Sequence, residues 1–150
     1  MKSTLLAVAA LALLGCAGPQ EKPSVAAAPA PAAVTLYGEL GGSAGITKVV
    51  DLFLARINGD ARINTLFAKT DHNDLRRLVI EQLCEATGGP CKYTGRSMEE
   101  AHSGLNLTNA DYSAFMGDLV AAMDEAKVPL AQQNKLIALL APMKSQVVGQ

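Results

Sequence analysis

The sequence has no tryptophan, and its 150 residues include only three Phe and three Tyr. A folded core must therefore be built from Leu, Ile, Val, Ala and Met, with aromatic rings at a few points. An excess of one charge is also missing. Lys and Arg nearly balance Asp and Glu, and a formal net charge of -1 gives none of the basic field that nucleic acid requires. Nucleic acid is accordingly excluded as a partner. With three Cys, two His and no CxxC pair, zinc fingers and dithiol redox motifs are excluded too. No segment alternates apolar and polar residues between turn pairs, and no repeat period is present. An all-α domain remains.

The chain opens with a positive Lys2 and an apolar run from Leu5 to Leu14, about the length of a signal peptide and short for a membrane span. The run ends Leu13-Leu14-Gly15-Cys16. Small residues before a cysteine resemble a bacterial lipoprotein signal, in which Cys16 is lipidated and becomes the mature N-terminus. The alternative is an ordinary signal peptide cut nearby. Under the lipoprotein reading the protein sits on the periplasmic side of a bacterial membrane and meets it through the lipid anchor. Ala17, where Asp would retain it, favours the outer membrane. From Ala17 to about Ala33 the Pro and Ala content, PSVAAAPAPAA at its centre, reads as a semi-extended tether. The expected division is a signal peptide over 1–15, a lipidated N-terminus and linker over 16–35, and one domain over 36–150.

Within the domain, Ile46, Val49, Val50, Phe53, Leu54 and Ile57 recur at helical spacing, and Asn58-Gly59-Asp60 breaks that helix. Ile63, Leu66 and Phe67 follow in a turn-like segment. Thr70 or Asp71 can cap a helix lined by Leu75, Leu78, Val79 and Leu83. Thr108-x-x-Asp111 caps another, whose face is Tyr112, Phe115, Met116, Leu119, Val120 and Met123. After Val128-Pro129 a last helix carries Leu136, Ile137, Leu139, Leu140, Met143 and Val147, and Pro142 should kink it or end its regular part.

The stretch between these helices, GGPCKYTGRSMEEAH over residues 88–102, carries the chemistry. Gly88-Gly89-Pro90 stops one helix, and the capping box Ser97-Met98-Glu99-Glu100 starts a short new one. His102 falls one turn after Met98, with Leu105 near one turn further, so the imidazole shares a face with apolar side chains. A histidine so placed either fills core space or ligates. The second histidine, His72, stands beside Asp71 and Asp74 at a helix start and reads as an exposed first-turn residue. Cys84 and Cys91 flank the stop. A signal peptide implies an oxidising compartment and lipid would occupy Cys16, which leaves these two as an even pair, expected as a disulfide or as two buried thiols.

Taken together and in order, Leu36-Tyr37-x-x-Leu40-Gly41-Gly42, Phe67, Gly88-Gly89-Pro90, Tyr93-Thr94-Gly95, Met98 with His102, and the terminal helix pair around Val128-Pro129 resemble the group I truncated haemoglobins. The likeness runs from Leu36 to Val148. It implies a two-over-two helical sandwich around haem b, with His102 as the proximal iron ligand. It also implies a cofactor pocket of Phe53, Leu54, Phe67, Leu75, Val79, Leu83, Tyr93, Met98, Phe115 and Leu119. Haem needs an apolar slot and a neutral imidazole, and this chain offers both. Arg76, Arg77, Lys92 and Arg96 are candidate propionate partners by charge.

The sequence departs from the family on the distal side. Relatives that hold oxygen tightly place Tyr and Gln where this chain has Leu54, Leu75 and Val79, with Leu83 a turn further. Gln82, the neighbouring polar residue, is expected to point aside. The implied function is binding of a diatomic gas (oxygen, nitric oxide or carbon monoxide) in a dry pocket. The alternatives are nitric oxide dioxygenase or peroxidase-like turnover, or electron transfer, each with an external electron donor as a second partner. A fourth is a structural lipoprotein without cofactor.

Overall fold

The structure, a computed structural model, describes residues 34–150. The expected signal peptide, lipidated Cys16 and nearly all of the tether lie outside the described residues. Among the described residues every regular element is helical: α1 (Leu36–Glu39), α2 (Gly42–Gly59), α3 (His72–Ala86), α4 (Met98–His102), α5 (Asn109–Glu125) and α6 (Leu130–Leu140). Two 3-10 segments, Asn64–Phe67 and Ala141–Gln146, complete the order.

The central element is α2. Its apolar residues at i, i+3, i+4 and i+7 (Ile46, Val49, Val50, Phe53, with Leu54 and Ile57 following) are all buried. One flank packs against α3 and the other against α5. Helix α6 touches α1 and shares the core with α2, α3 and α5, and the four long helices make two over two. Leu83 and Cys84 from α3, Ala114, Leu119, Ala122 and Met123 from α5, and Leu136 and Leu140 from α6 close the core. Phe53 meets Phe115 edge to face, ring centroids 4.8 Å apart, across the α2–α5 contact. Full burial of a side chain such as Phe53 contributes about 2–3 kcal/mol of transfer free energy.

Each boundary has a local cause. Asp71 accepts from the Asn73 and Asp74 amides and so caps α3. At the start of α5, Thr108 and Asp111 form a reciprocal capping box. The α5–α6 turn is held by the buried Gln133 amide, which donates to Asp124 at 2.7 Å and to the Val128 carbonyl at 2.9 Å. Pro142 ends the regular part of α6, and the chain continues as a 3-10 segment.

Candidate functional site

The Gly-Gly-Pro stop gives the site its first constraint. Gly88 has φ +82°, the left-handed region that ends a helix, and Gly89 N–H donates to the Cys84 carbonyl at 2.8 Å. A Cβ on Gly89 would lie 2.6 Å from both Cys84 Sγ and a Tyr37 ring carbon, so only glycine fits this close approach. Cys84 and Cys91 are joined by a disulfide, their Cα atoms 5.7 Å apart.

The loop that follows is stitched to the exposed ridge of α3. Glu85 accepts from the Tyr93 amide at 2.9 Å and from Lys92 Nζ at 3.1 Å. Glu81 accepts from the Thr94 hydroxyl at 2.7 Å and the Thr94 amide at 3.0 Å. Arg77 reaches Thr94, Glu81 and Asp74 from the same ridge. The Thr94 hydroxyl holds the Glu81 carboxyl below its ordinary pKa, and the Tyr93 amide does the same for Glu85. Tyr93 O–H donates to the Arg96 carbonyl at 2.9 Å, which closes the loop on itself just before α4. Burial pushes the Tyr93 hydroxyl pKa up, so it remains a donor at neutral pH.

Helix α4 then starts on the Ser97–Glu100 capping box, Ser97 N–H donating to the Glu100 carboxylate at 3.0 Å and Glu100 N–H to the Ser97 hydroxyl at 3.2 Å. One turn on, His102 Nδ1 lies 2.7 Å from the Met98 carbonyl oxygen. A carbonyl only accepts, so Nδ1 carries the proton and donates. In the neutral imidazole this leaves Nε2 as the lone-pair nitrogen. Among the described residues no three His, Cys, Asp or Glu side chains converge as a metal cage. His102 therefore stands outside any such cluster, with Nε2 as its one free lone-pair nitrogen.

His102 lines a cavity of about 500 Å3 between α2, α3, α4 and α5. The structure brings into this one cavity every residue that the sequence placed there: Phe53, Leu54, Phe67, Leu75, Val79, Leu83, Tyr93, Met98, Phe115 and Leu119. The apolar side chains dominate the walls. Its size is that of a small-molecule site. His72, the first residue of α3, is exposed and absent from the lining.

Two expectations need correction. Gln82 does not point aside. It lines the cavity, and its amide nitrogen stands 3.4 Å from Met98 Sδ and 3.5 Å from Met143 Sδ. The signal was present in the sequence, since Gln82 follows Leu75 by seven residues and therefore lies on the same helix face. Of the four cations put forward for propionates, only Arg96 reaches the lining. Arg76 is paired with Asp51, Arg77 with Asp74 and Glu81, and Lys92 with Glu85. Lys69, Tyr112 and Met143 were not anticipated at the cavity and line it as well. Lys69 sits in an irregular segment without periodicity, so no pattern points to it.

Comparison with known proteins places this geometry. The family model for bacterial-like globins matches residues 35–148. A group 1 truncated haemoglobin of Tetrahymena pyriformis is 30% identical over 115 residues, covering 77% of this chain and 95% of that protein. Another from Synechocystis sp. is 38% identical over 99 residues, with 63% and 80% covered. The crystal structure of the Tetrahymena pyriformis protein in its Fe(III) form superposes with a TM-score of 0.75 at 30% identity, over 77% of this chain and 99% of that one. The 2/2 haemoglobin of Synechococcus sp., solved in the cyanomet state with covalently attached haem, superposes with a TM-score of 0.72 at 25% identity and the same coverage.

Proposed function

The chain belongs to the bacterial-like globin family as a group I truncated haemoglobin, and from that premise we infer that it binds haem b through His102 and takes oxygen, nitric oxide or carbon monoxide at the iron. The observation that carries this reading is the His102–Met98 hydrogen bond at the wall of an apolar cavity. The bond fixes the tautomer that leaves Nε2 free to ligate, and the ring cannot turn without breaking it. The residues fit the group in other respects. Phe53, Phe67, Leu75, Val79, Phe115 and Leu119 offer apolar faces, and Lys69 and Arg96 are charged lining residues exposed to solvent. When bound, haem supplies an iron centre with one coordination position for a diatomic ligand.

The chain's own residues do the rest. Ser97 and Glu100 anchor α4, Met98 orients the imidazole, and the apolar walls exclude water from the ligand position. A binding role is favoured over turnover because turnover would need an external electron donor, whereas binding needs only the iron and the apolar walls around Leu54, Leu75 and Val79. The test is spectroscopic. His102→Ala should abolish or greatly weaken haem retention, whereas His72→Ala should leave the ferrous spectrum unchanged. The reverse pattern would overturn the assignment of the ligand.

We also infer a periplasmic, lipid-anchored setting, which rests on the Leu13-Leu14-Gly15-Cys16 signature and is supported by the Cys84–Cys91 disulfide, a bond that persists in oxidising compartments. Cys16→Ser should release the protein from the membrane fraction; retention there would refute lipidation as the anchor.

A further inference from the structure

We propose that Lys69 and Arg96 bind the two propionate carboxylates of the haem, an inference that rests on the haem reading above. It follows from sorting the positive side chains by what already holds them. Among the described residues Arg56 is paired with Glu125, Arg62 with Asp60, Arg76 with Asp51, Arg77 with Asp74 and Glu81, Lys92 with Glu85, and Lys135 with Glu39. Lys144 lies 5.5 Å from the Tyr112 ring centroid. Lys48 and Lys127 do not line the cavity. Lys69 and Arg96 do, and among the described residues neither has a carboxylate partner; there Arg96 reaches only the Glu100 carbonyl, at 3.4 Å.

Both residues are exposed, and each stands at the foot of a helix that walls the cavity: Lys69 just before α3, Arg96 just before α4. A porphyrin buried by its apolar edges must leave its two carboxylates at a charged opening, since burying them unpaired is prohibitive. Two unpaired cations meet that need. The acids on the same lining are already engaged. Asp71 caps α3, Asp74 pairs with Arg77, and Asp111 caps α5. Their charge nevertheless opposes a propionate, which makes the two cations the groups that offset it.

The backbone at Arg96 is held from the far side. Its carbonyl accepts the Tyr93 hydroxyl, and the following residue begins the α4 capping box. The Arg96 backbone is therefore held by the same loop that leads into the His102 helix, so both side chains start from one fixed segment.

The experiment uses the full-length, haem-loaded protein and follows haem transfer to an excess of a scavenger apoprotein. Lys69→Gln and Arg96→Gln should each speed loss of haemin by about two- to fivefold, the size expected of exposed charge pairs, and the double variant by more. Arg76→Gln, whose guanidinium belongs to Asp51, should change nothing. Haemin dimethyl ester, with both carboxylates capped, should leave quickly from every protein, with no difference between wild type and variants. The ferrous spectrum should be the same throughout, because His102 is untouched. Equal acceleration for haemin and its ester, or none for haemin, would overturn the propionate assignment and leave the haem reading intact. A wild-type protein that takes up neither haemin nor its ester would overturn both.

Discussion

Cys84 and Cys91 are joined by a disulfide that ties the last turns of α3 to the loop leading into α4. The bridge spans a sequence separation of 7 residues, and closing so short a loop stabilises by about 2–3 kcal/mol in the chain-entropy model. Cys84 is buried in the core, so the α3 end of the bridge is fixed. The Cys91 end carries the segment that reaches Ser97 and then His102. Reduction should therefore lower the melting temperature and increase the haem-loss rate several-fold without shifting the ferrous spectrum. Cys84→Ser with Cys91→Ser should reproduce both effects and be insensitive to reductant. Two free thiols alkylated in the folded, air-handled protein would defeat the prediction.

Acid stability turns on a different pair. Asp118 on α5 is 9% exposed, and one of its carboxylate oxygens has no partner. Burial pushes its pKa up, and the neighbouring Asp60 carboxylate adds to the shift; Arg62 and Arg56 oppose it. Asp60 itself, gripped by the Arg62 guanidinium, is held down at about 2. A raised carboxyl pKa gives stability that is full below the unfolded value, about 3.9, and is lost as pH rises through the folded value. The lowered Asp60 works the other way: its contribution is full above that unfolded value and is lost as pH falls toward 2. Asp118→Asn keeps the shape and can donate to Asp60 at every pH. It should stabilise the fold at pH 7 by about 1 kcal/mol, the net worth of one hydrogen bond. The gain should shrink as pH falls toward 4. Urea denaturation of both proteins across pH 4–7 checks this, and a gain independent of pH would refute it.

Helix periodicity, capping boxes and Gly-Pro stops made the elements readable in the sequence. Each depends on side chains within one turn of each other, as at Ser97–Glu100 and Thr108–Asp111. The apolar wall was readable for the same reason: Phe53 and Leu54, or Leu75 and Val79, fall on faces that must be covered. The rim was not. Arg76, Arg77 and Lys92 look equivalent to Arg96 by charge, and only tertiary contacts show that carboxylates 25, 4 and 7 residues away in sequence already occupy the first three. Gln82 failed for a different reason. A polar side chain on an apolar face has no partner visible in the sequence, and the partners here are two methionine sulfurs from separate segments.

Those sulfurs bear on the Gln82 side chain. Thioethers are weak acceptors, so the amide is held loosely inside the cavity. Gln82→Leu should cost little stability, within about 1 kcal/mol by thermal melt, because the lost contacts are weak and the wall becomes uniformly apolar. A loss of several kcal/mol would mean that the amide is a structural keystone of the α3 contact with Met98 and Met143.

The last prediction concerns how long oxygen stays. Dioxygen at a ferrous haem gains from a neighbouring hydrogen-bond donor, and carbon monoxide gains little. One such bond contributes about 0.5–1.5 kcal/mol, or up to roughly tenfold in release rate. Leu54, Leu75 and Val79 line the cavity and offer no donor. Two polar groups that share the cavity have other partners: Tyr93 O–H the Arg96 carbonyl, and the Gln82 amide the Met98 and Met143 sulfurs. Oxygen should therefore leave quickly while carbon monoxide binds with ordinary affinity, a pattern suited to brief capture rather than storage. Leu54→Tyr places a phenol on the inner face of α2, where it can donate into the cavity. Stopped-flow measurement should then show oxygen release slowed by about tenfold, with carbon monoxide release changed by less than about twofold. If wild-type release is already as slow as in Leu54→Tyr, a donor is present, and Gln82→Leu identifies it: faster release in that variant would show that the amide leaves its sulfur partners and reaches the ligand.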